Sequence, residues 1–145
     1  MSMFLKPSRM CCAIMALVLC HGAGAASNLP RYGVLVYSSF CVSPMSGDLG
    51  GDRITLHRFS DGDTLVYEYT DGSTHALIAH DLVLDTAAGT LRFAVDPHNE
   101  ATSTIAGAIS RDGDRITVQG LPFRGDLART LVRVKNVAAP IRQCR

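Results

Sequence analysis

Beyond its first 25 residues the chain has a single lysine, Lys135, and no block or stripe of basic residues. Proteins that grip nucleic acid or an anionic membrane surface need such a stripe, and neither partner is expected here. The whole chain carries 14 basic and 13 acidic residues; without Lys6 and Arg9 the remainder sits close to neutral, at about −1. Catalytic signatures are missing as well: there is no H-E-x-x-H, no G-x-S-x-G and no Walker loop. The expectation is a protein that is not an enzyme and uses no cofactor. Long apolar runs are scarce. The longest, residues 10–20, is too short to span a bilayer, so no transmembrane segment is expected, and no credible helix follows it.

That run has a different meaning. Lys6 and Arg9 precede it as a basic region, and Ala23-Gly24-Ala25 follows as a small-residue cleavage pattern, the arrangement of a secretory signal peptide. We expect residues 1–25 to be removed, leaving residues 26–145 as one β-domain in the periplasm or outside the cell. Lipidation at Cys20 would need a small residue where Leu19 stands, so a lipid anchor is set aside. Cys11, Cys12 and Cys20 leave with the leader, and Cys41 and Cys144 remain. An even pair in an oxidising compartment favours a disulfide, worth on the order of 4 to 5 kcal/mol for so long a loop.

The stretch that organises the rest is residues 51–95, where short alternating runs are separated by Asp-Gly or Gly turns. Ile54 and Leu56 alternate with Thr55 and His57, and Leu65, Tyr67 and Tyr69 alternate with Val66, Glu68 and Thr70. This is the period of strands with one buried face. Asp61-Gly62 and Asp71-Gly72 supply the positive φ that tight hairpins demand. Residues 32–42 read as a first strand whose two faces are both apolar at its start, the pattern of a strand covered on both sides. Further strands are expected over 74–79, 82–85, 91–95, 104–110, 116–119 and 131–134. About eight short strands in an antiparallel meander give an all-β fold, either a small up-and-down barrel or a compact sandwich. The inward set, with Ile54, Leu56, Leu65, Tyr67, Tyr69, Ile78, Leu82, Leu84, Leu91, Phe93, Ile105 and Ile116 among it, is bulky enough to fill a small barrel.

A filled centre pushes activity outward onto the loops. Residues 43–52 offer Met45, Ser46, Gly47 and Asp48 as contact candidates, and residues 120–130 offer Phe123, Arg124 and Asp126. Phe123 follows Pro122 and is flanked by Arg124, as in protein-contact hot spots; folding back as a plug for one barrel end fits it equally well. Arg124-Gly125-Asp126 has the form of an integrin-recognition tripeptide, which three residues match by chance. Tyr67 and Tyr69 are candidates to line a ligand pocket, against packing as core with hydroxyls at the rim.

No metal is expected: the nearest ligand set is His75, His80 and Asp81, with His57 across the sheet, but His75 and His80 lie an odd number of residues apart and point to opposite faces of a regular strand, so only a bend near Ala79 would bring them together. Asp61-Gly62-Asp63 and Asp112-Gly113-Asp114 lack the spaced oxygens and distal glutamate of calcium loops and read as turns. GDRITL at 51–56 and GDRITV at 113–118 echo each other, either as a duplicated half-barrel or as one hairpin solution used twice, the reading favoured here.

At the level of fold the chain resembles small lipocalin-like barrels. Its plan of leader, β-meander and an early cysteine answered by a near-terminal one, over residues 41–144, is similar to bacterial periplasmic inhibitors of c-type lysozyme. That family's S-G-x-x-Y segment is matched only at Ser46 and Gly47, because Gly50 stands where its tyrosine would. The resemblance implies inhibition by an inserted loop. The residues themselves point first to an exported binding domain that contacts a protein or envelope component through its loops. The alternatives are an inhibitor or immunity-type protein acting on a cell-wall hydrolase or toxin, and a small-ligand carrier of lipocalin type. Nothing in the pattern fixes an oligomeric state.

Overall fold

The computed structural model describes residues 26–145 apart from Asn99, Arg124 and Val137, and gives the backbone alone at Asp71. Residues 1–25, with the leader, its cleavage pattern and Cys20, lie outside the described residues. Ten strands follow, with no helix among the described residues: β1 Gly33–Ser38, β2 Cys41–Val42, β3 Leu49–Arg58, β4 Asp63–Asp71, β5 Thr74–Ile78, β6 His80–Asp85, β7 Thr90–Val95, β8 Ser103–Ile109, β9 Arg115–Gln119 and β10 Arg129–Arg133. They form one antiparallel sheet in the order β5-β4-β3-β1-β10-β9-β8-β7-β6, with β2 beside β3.

The sheet curls into a nearly closed barrel because two of its strands are bent rather than ended. The expected first strand is interrupted at Ser39 and Phe40, yet its register against β3 is unbroken, Ser38↔Arg53 before the gap and Cys41↔Gly50 after it. At the gap the Ser39 hydroxyl accepts a hydrogen bond from the Asp52 amide at 3.0 Å. The Ser39 amide in turn donates to the Asp52 carbonyl at 2.8 Å. The second bend closes the barrel. β5 pairs with β4 up to Val66↔Ile78, Ala79 donates to the Leu65 carbonyl, and β6 then pairs with β7 from His80↔Ala94, with a register shift before Val83↔Arg92. Asp81, at φ 51°, supplies the left-handed residue of that bulge. One kinked strand thereby joins the two ends of the sheet, and barrel replaces sandwich as the architecture.

The interior is built by alternation. Tyr37, Ile54, Leu56, Leu65, Tyr67, Leu91, Phe93, Ile105, Ile116, Val118 and Leu131 are 0–2 % exposed and pack as one cluster. Burying each such large side chain stabilises by about 1.5–3 kcal/mol relative to leaving it in water. Leu82 and Leu84 pack partly buried against this cluster. Ile78 is a correction: it is 80 % exposed, because the pairing Tyr67↔Leu77 places Leu77, not its neighbour, on the inward face.

The echoed segments also diverge. Gly113 occupies a turn, whereas Gly51 lies within β3 opposite Thr70. A Cβ at Gly51 would come 2.8 Å from the Ser39 carbonyl oxygen, so its role is close approach of the bend at Ser39 and Phe40, not a hairpin. Ile54 and Leu56 in one segment and Ile116 and Val118 in the other face inward, so the two share strand alternation and not a turn.

A meander puts alternate connections at opposite ends. At one end the lead-in lies across the short turns: Ser27 donates to the Thr86 carbonyl, Asn28 to that of Arg111, and Leu29 packs on the core. There the Tyr37 hydroxyl donates to the Gly113 carbonyl at 2.7 Å, and burial pushes its pKa up. The other end carries residues 43–48, 72–73, 96–102 and 120–128. After β10 the chain returns along the outside of β1. Val134 donates to Val36, Val42 to Arg142 and Cys144 to Val42, and the Cys41–Cys144 disulfide fixes the tail at Cα–Cα 4.9 Å across 103 residues of sequence.

Candidate functional site

The two loops expected to carry contacts lie at the same end of the barrel, but each is built differently from a free loop. Residues 43–48 form a tight hairpin between β2 and β3. The Ser43 amide donates to the Asp48 carbonyl at 2.8 Å, and the Gly47 amide to the Ser43 carbonyl at 2.9 Å. Side chains reinforce it: the Ser43 and Ser46 hydroxyls accept from the Ser46 and Asp48 amides at 3.3 Å. Gly47 takes φ 77°, which its lack of Cβ permits. Met45 stands at the tip, 96 % exposed, with Ser46, Gly47 and Asp48 exposed beside it. The loop is shorter than the expected 43–52, since β3 begins at Leu49. Asp52, at its expected far end, is a buried strand residue whose carboxyl accepts the Tyr67 hydroxyl at 2.8 Å.

The β9–β10 connection folds partly inward. Leu121 and Pro122 are buried, and Phe123, at φ 61°, turns its ring to 5.1 Å from that of Tyr69. Tyr69 in turn lies 4.9 Å from His75 and 5.8 Å from Tyr67. Phe123 remains 50 % exposed, so one face caps the barrel and the other meets solvent. The ring thus folds back over the barrel end as the plug reading expects. A non-glycine residue held at positive φ is strained, a state that persists only where its surroundings impose it. The Tyr69 stack and buried Leu121 do so here. Asp126 is exposed, as is Leu127 next to it, and Arg124 lies outside the described residues.

Tyr67 and Tyr69 are 0 % and 4 % exposed and belong to the core cluster. Neither lines any of the clefts described below, so the candidate pocket between them is replaced by packing. The histidines stay apart. His57 stacks on Phe59 at 6.1 Å, His75 on Tyr69, and His80 contacts Asp81 and Asp96 at 3.1 and 3.3 Å. Among the described residues no three histidine, cysteine, aspartate or glutamate side chains converge to hold a metal. The two Asp-Gly-Asp segments are turns. Asp63 pairs with Arg58 at 3.4 Å, Asp114 with Lys135 at 2.7 Å, and Asp112 accepts from the Ser110 hydroxyl and the Asp114 amide, the first of which chiefly holds its pKa down.

A second surface escaped the sequence reading. The outward residues of β1 and the returning tail enclose two adjoining clefts of about 320 and 570 Å³. The first lies between Val36, Ser38, Phe40 and Val132 on the barrel and Pro140, Ile141 and Arg142 on the tail. Arg53 sits over the Phe40 ring at 5.0 Å while its Nε and Nη2 donate to the two carboxylate oxygens of Glu68. The signal for this surface was the doubly apolar start of β1. One face, Leu35 and Tyr37, fills the barrel; the other, Val34 and Val36, is incompletely covered, with Val34 56 % exposed.

Comparison with protein families, with characterised proteins and with solved structures finds no match for this chain.

Proposed function

We propose that this chain is an exported, non-enzymatic binding domain that docks on a protein or envelope component through the loop end of its barrel. The observation that carries the reading is Met45: a large apolar side chain, 96 % exposed, on a hairpin braced by its own hydrogen bonds. A rigid apolar tip loses little conformational freedom on docking, so more of its contact energy appears as affinity. Phe123 and Leu127, both at least half exposed at the same end, extend the surface. The packed interior speaks for surface contact rather than for a carried ligand.

The experiment is affinity capture from an envelope extract of the producing organism, repeated with Met45→Ser and Phe123→Ala. A discrete partner held by the native chain and lost about tenfold or more from each variant is the expected result. Equal retention by both variants sinks the loop-end reading.

The protruding hairpin also favours a second reading, an inhibitor that inserts Met45 into the cleft of a cell-wall hydrolase. Its test is the clearing of a bacterial cell-wall suspension by a c-type lysozyme, with and without a molar excess of the chain. Unchanged clearing removes lysozyme as the target.

A further inference from the structure

β1 lies in the middle of the sheet, and its outward face presents a largely apolar row that the fold covers only in part: Val34 is 56 % exposed, Val36 and Ser38 are half-buried, and Phe40 is buried under Arg53. Its outward residues Val34, Val36 and Ser38 recur every second position, and Phe40 continues the row past the bend. The two clefts share Val36, Arg133, Val134 and Asn136, so they form one continuous furrow. At roughly 3.3 Å per residue, the floor from Val34 to Phe40 runs about 20 Å. An extended segment of five or six residues has that length and that side-chain period, and a compact small molecule has neither. The far wall is the tail. Ile141, 50 % exposed, and Arg142 stand opposite the strand because the Val42–Arg142 and Cys144–Val42 hydrogen bonds and the disulfide hold them there.

Charge narrows the occupant. The charged residues lining the first cleft are Arg53, Arg133 and Arg142, with no carboxylate among them. In the second, Asp114 is matched by Lys135 at 2.7 Å, and Arg133 again lines the wall. Arg53 is engaged by Glu68, whereas Arg142 makes no ion pair among the described residues. A positive rim over a valine floor complements alternating acidic and apolar side chains, with arginine suited to forked contacts with carboxylates.

We infer that the furrow between β1 and the tail binds an extended, acidic and apolar peptide segment of a partner protein, in the manner of a strand laid along a groove. This site does not depend on the loop-end reading, since it involves neither Met45 nor Phe123. It gives the disulfide a task beyond stability, namely holding one wall of the site.

The test uses the intact chain and a fluorescein-labelled heptapeptide of alternating leucine and glutamate, followed by fluorescence polarisation. Saturable binding is expected, weaker by about tenfold when lysine replaces glutamate in the peptide. Arg142→Glu and Val34→Asp, both at exposed positions that leave the core untouched, are each expected to weaken it by about fivefold or more, and Arg142→Lys to retain most of it. Met45→Ser is expected to leave it unchanged, which separates this site from the loop end.

The inference is overturned by no binding at about 1 mM peptide, by equal binding of the lysine peptide, or by indifference to Arg142→Glu and Val34→Asp. Dodecanoate binding more tightly than the peptide in the same furrow would reassign it to a lipid anion. Concentration-dependent dimerisation abolished by Val34→Asp would reassign it to a second copy of the chain.

Discussion

At one end of the barrel the connections are short turns rich in Asp and Gly, and the lead-in lies over them through Ser27, Asn28 and Leu29. At the other end the connections include residues 96–102 and 120–128, and the large side chains Met45 and Phe123 reach solvent. The interior under both ends is packed alike. What differs is how each end treats its buried polar groups. The turn end satisfies a backbone carbonyl, that of Gly113, with the Tyr37 hydroxyl. The loop end buries a side-chain carboxyl, Asp52, against the Tyr67 hydroxyl and roofs the region with rings. Polar burial without a partner is costly, so a fold concentrates it where something is gained. The contrast is one of construction: short turns closed over by the lead-in at one end, longer connections roofed by rings at the other.

The largest test of that contrast is the cystine. Because Cys41 sits on β2 beside the loop-end hairpin and Cys144 on the tail, their bond braces the loop end and the outer furrow, not the turn end. Cys41→Ala with Cys144→Ala is expected to cost about 4 kcal/mol in urea unfolding. Native-state hydrogen exchange is expected to rise first in residues 41–50 and 139–145, with the amides of Ser27 and Asn28 protected as before. Uniform loss of protection over both ends would abolish the distinction.

A matched pair of hydroxyl deletions sharpens it. Tyr67→Phe removes a hydrogen bond to a buried carboxyl and is expected to cost about 2–3 kcal/mol, while Tyr37→Phe removes one to a carbonyl and is expected to cost about 1 kcal/mol. Equal costs would mean the two ends handle buried polarity in the same way. Thermal unfolding of the two variants under one buffer decides between these outcomes.

Legibility in the sequence followed the physics of each segment. In β3 and β4 strict alternation set against Asp-Gly turns left one assignment, and Ile54, Leu56, Leu65 and Tyr67 face inward as that pattern requires. β5 is short and carries Leu77 and Ile78 side by side, so alternation alone offered two registers; only pairing with Tyr67 selects Leu77. Phe123 was ambiguous because its environment is Tyr69, a residue far away in sequence on β4. The furrow was hidden for a related reason: its floor comes from β1 and its wall from residues 139–142. Sites assembled from distant segments leave only indirect traces, here the second apolar face of β1. The cysteines were readable because two thiols beyond residue 25 leave one pairing, and that bond is present.

The smallest expected effect lies where the barrel closes. His80, on the kinked strand, reaches Asp81 with Nδ1 at 3.1 Å and Asp96, at the start of the β7–β8 loop, with Nε2 at 3.3 Å. Its pKa is raised above the ordinary 6.5, first by Asp81 and then by Asp96. Asp96 is lowered below 3.8, first by the Thr102 hydroxyl and then by His80. A raised histidine contributes stability that is full below 6.5 and is lost as pH rises through its folded value; a lowered aspartate contributes stability that is full above 3.8 and is lost as pH falls through its folded value. The latch is therefore tightest between 3.8 and 6.5 and weakens as pH leaves that window on either side. Exposure screens it, so the expected readout is local. An NMR titration of the His80 ring is expected to give a midpoint above 6.5. Amide exchange at Ala79 and Asp81 is expected to accelerate, beyond its intrinsic base catalysis, as pH rises through that midpoint. His80→Asn is expected to flatten this dependence while leaving Ser27 and Asn28 unaffected. A midpoint at or below 6.5 would mean that the turn end and the seam respond to pH alike, and that the kink at Asp81 closes the barrel by backbone geometry alone.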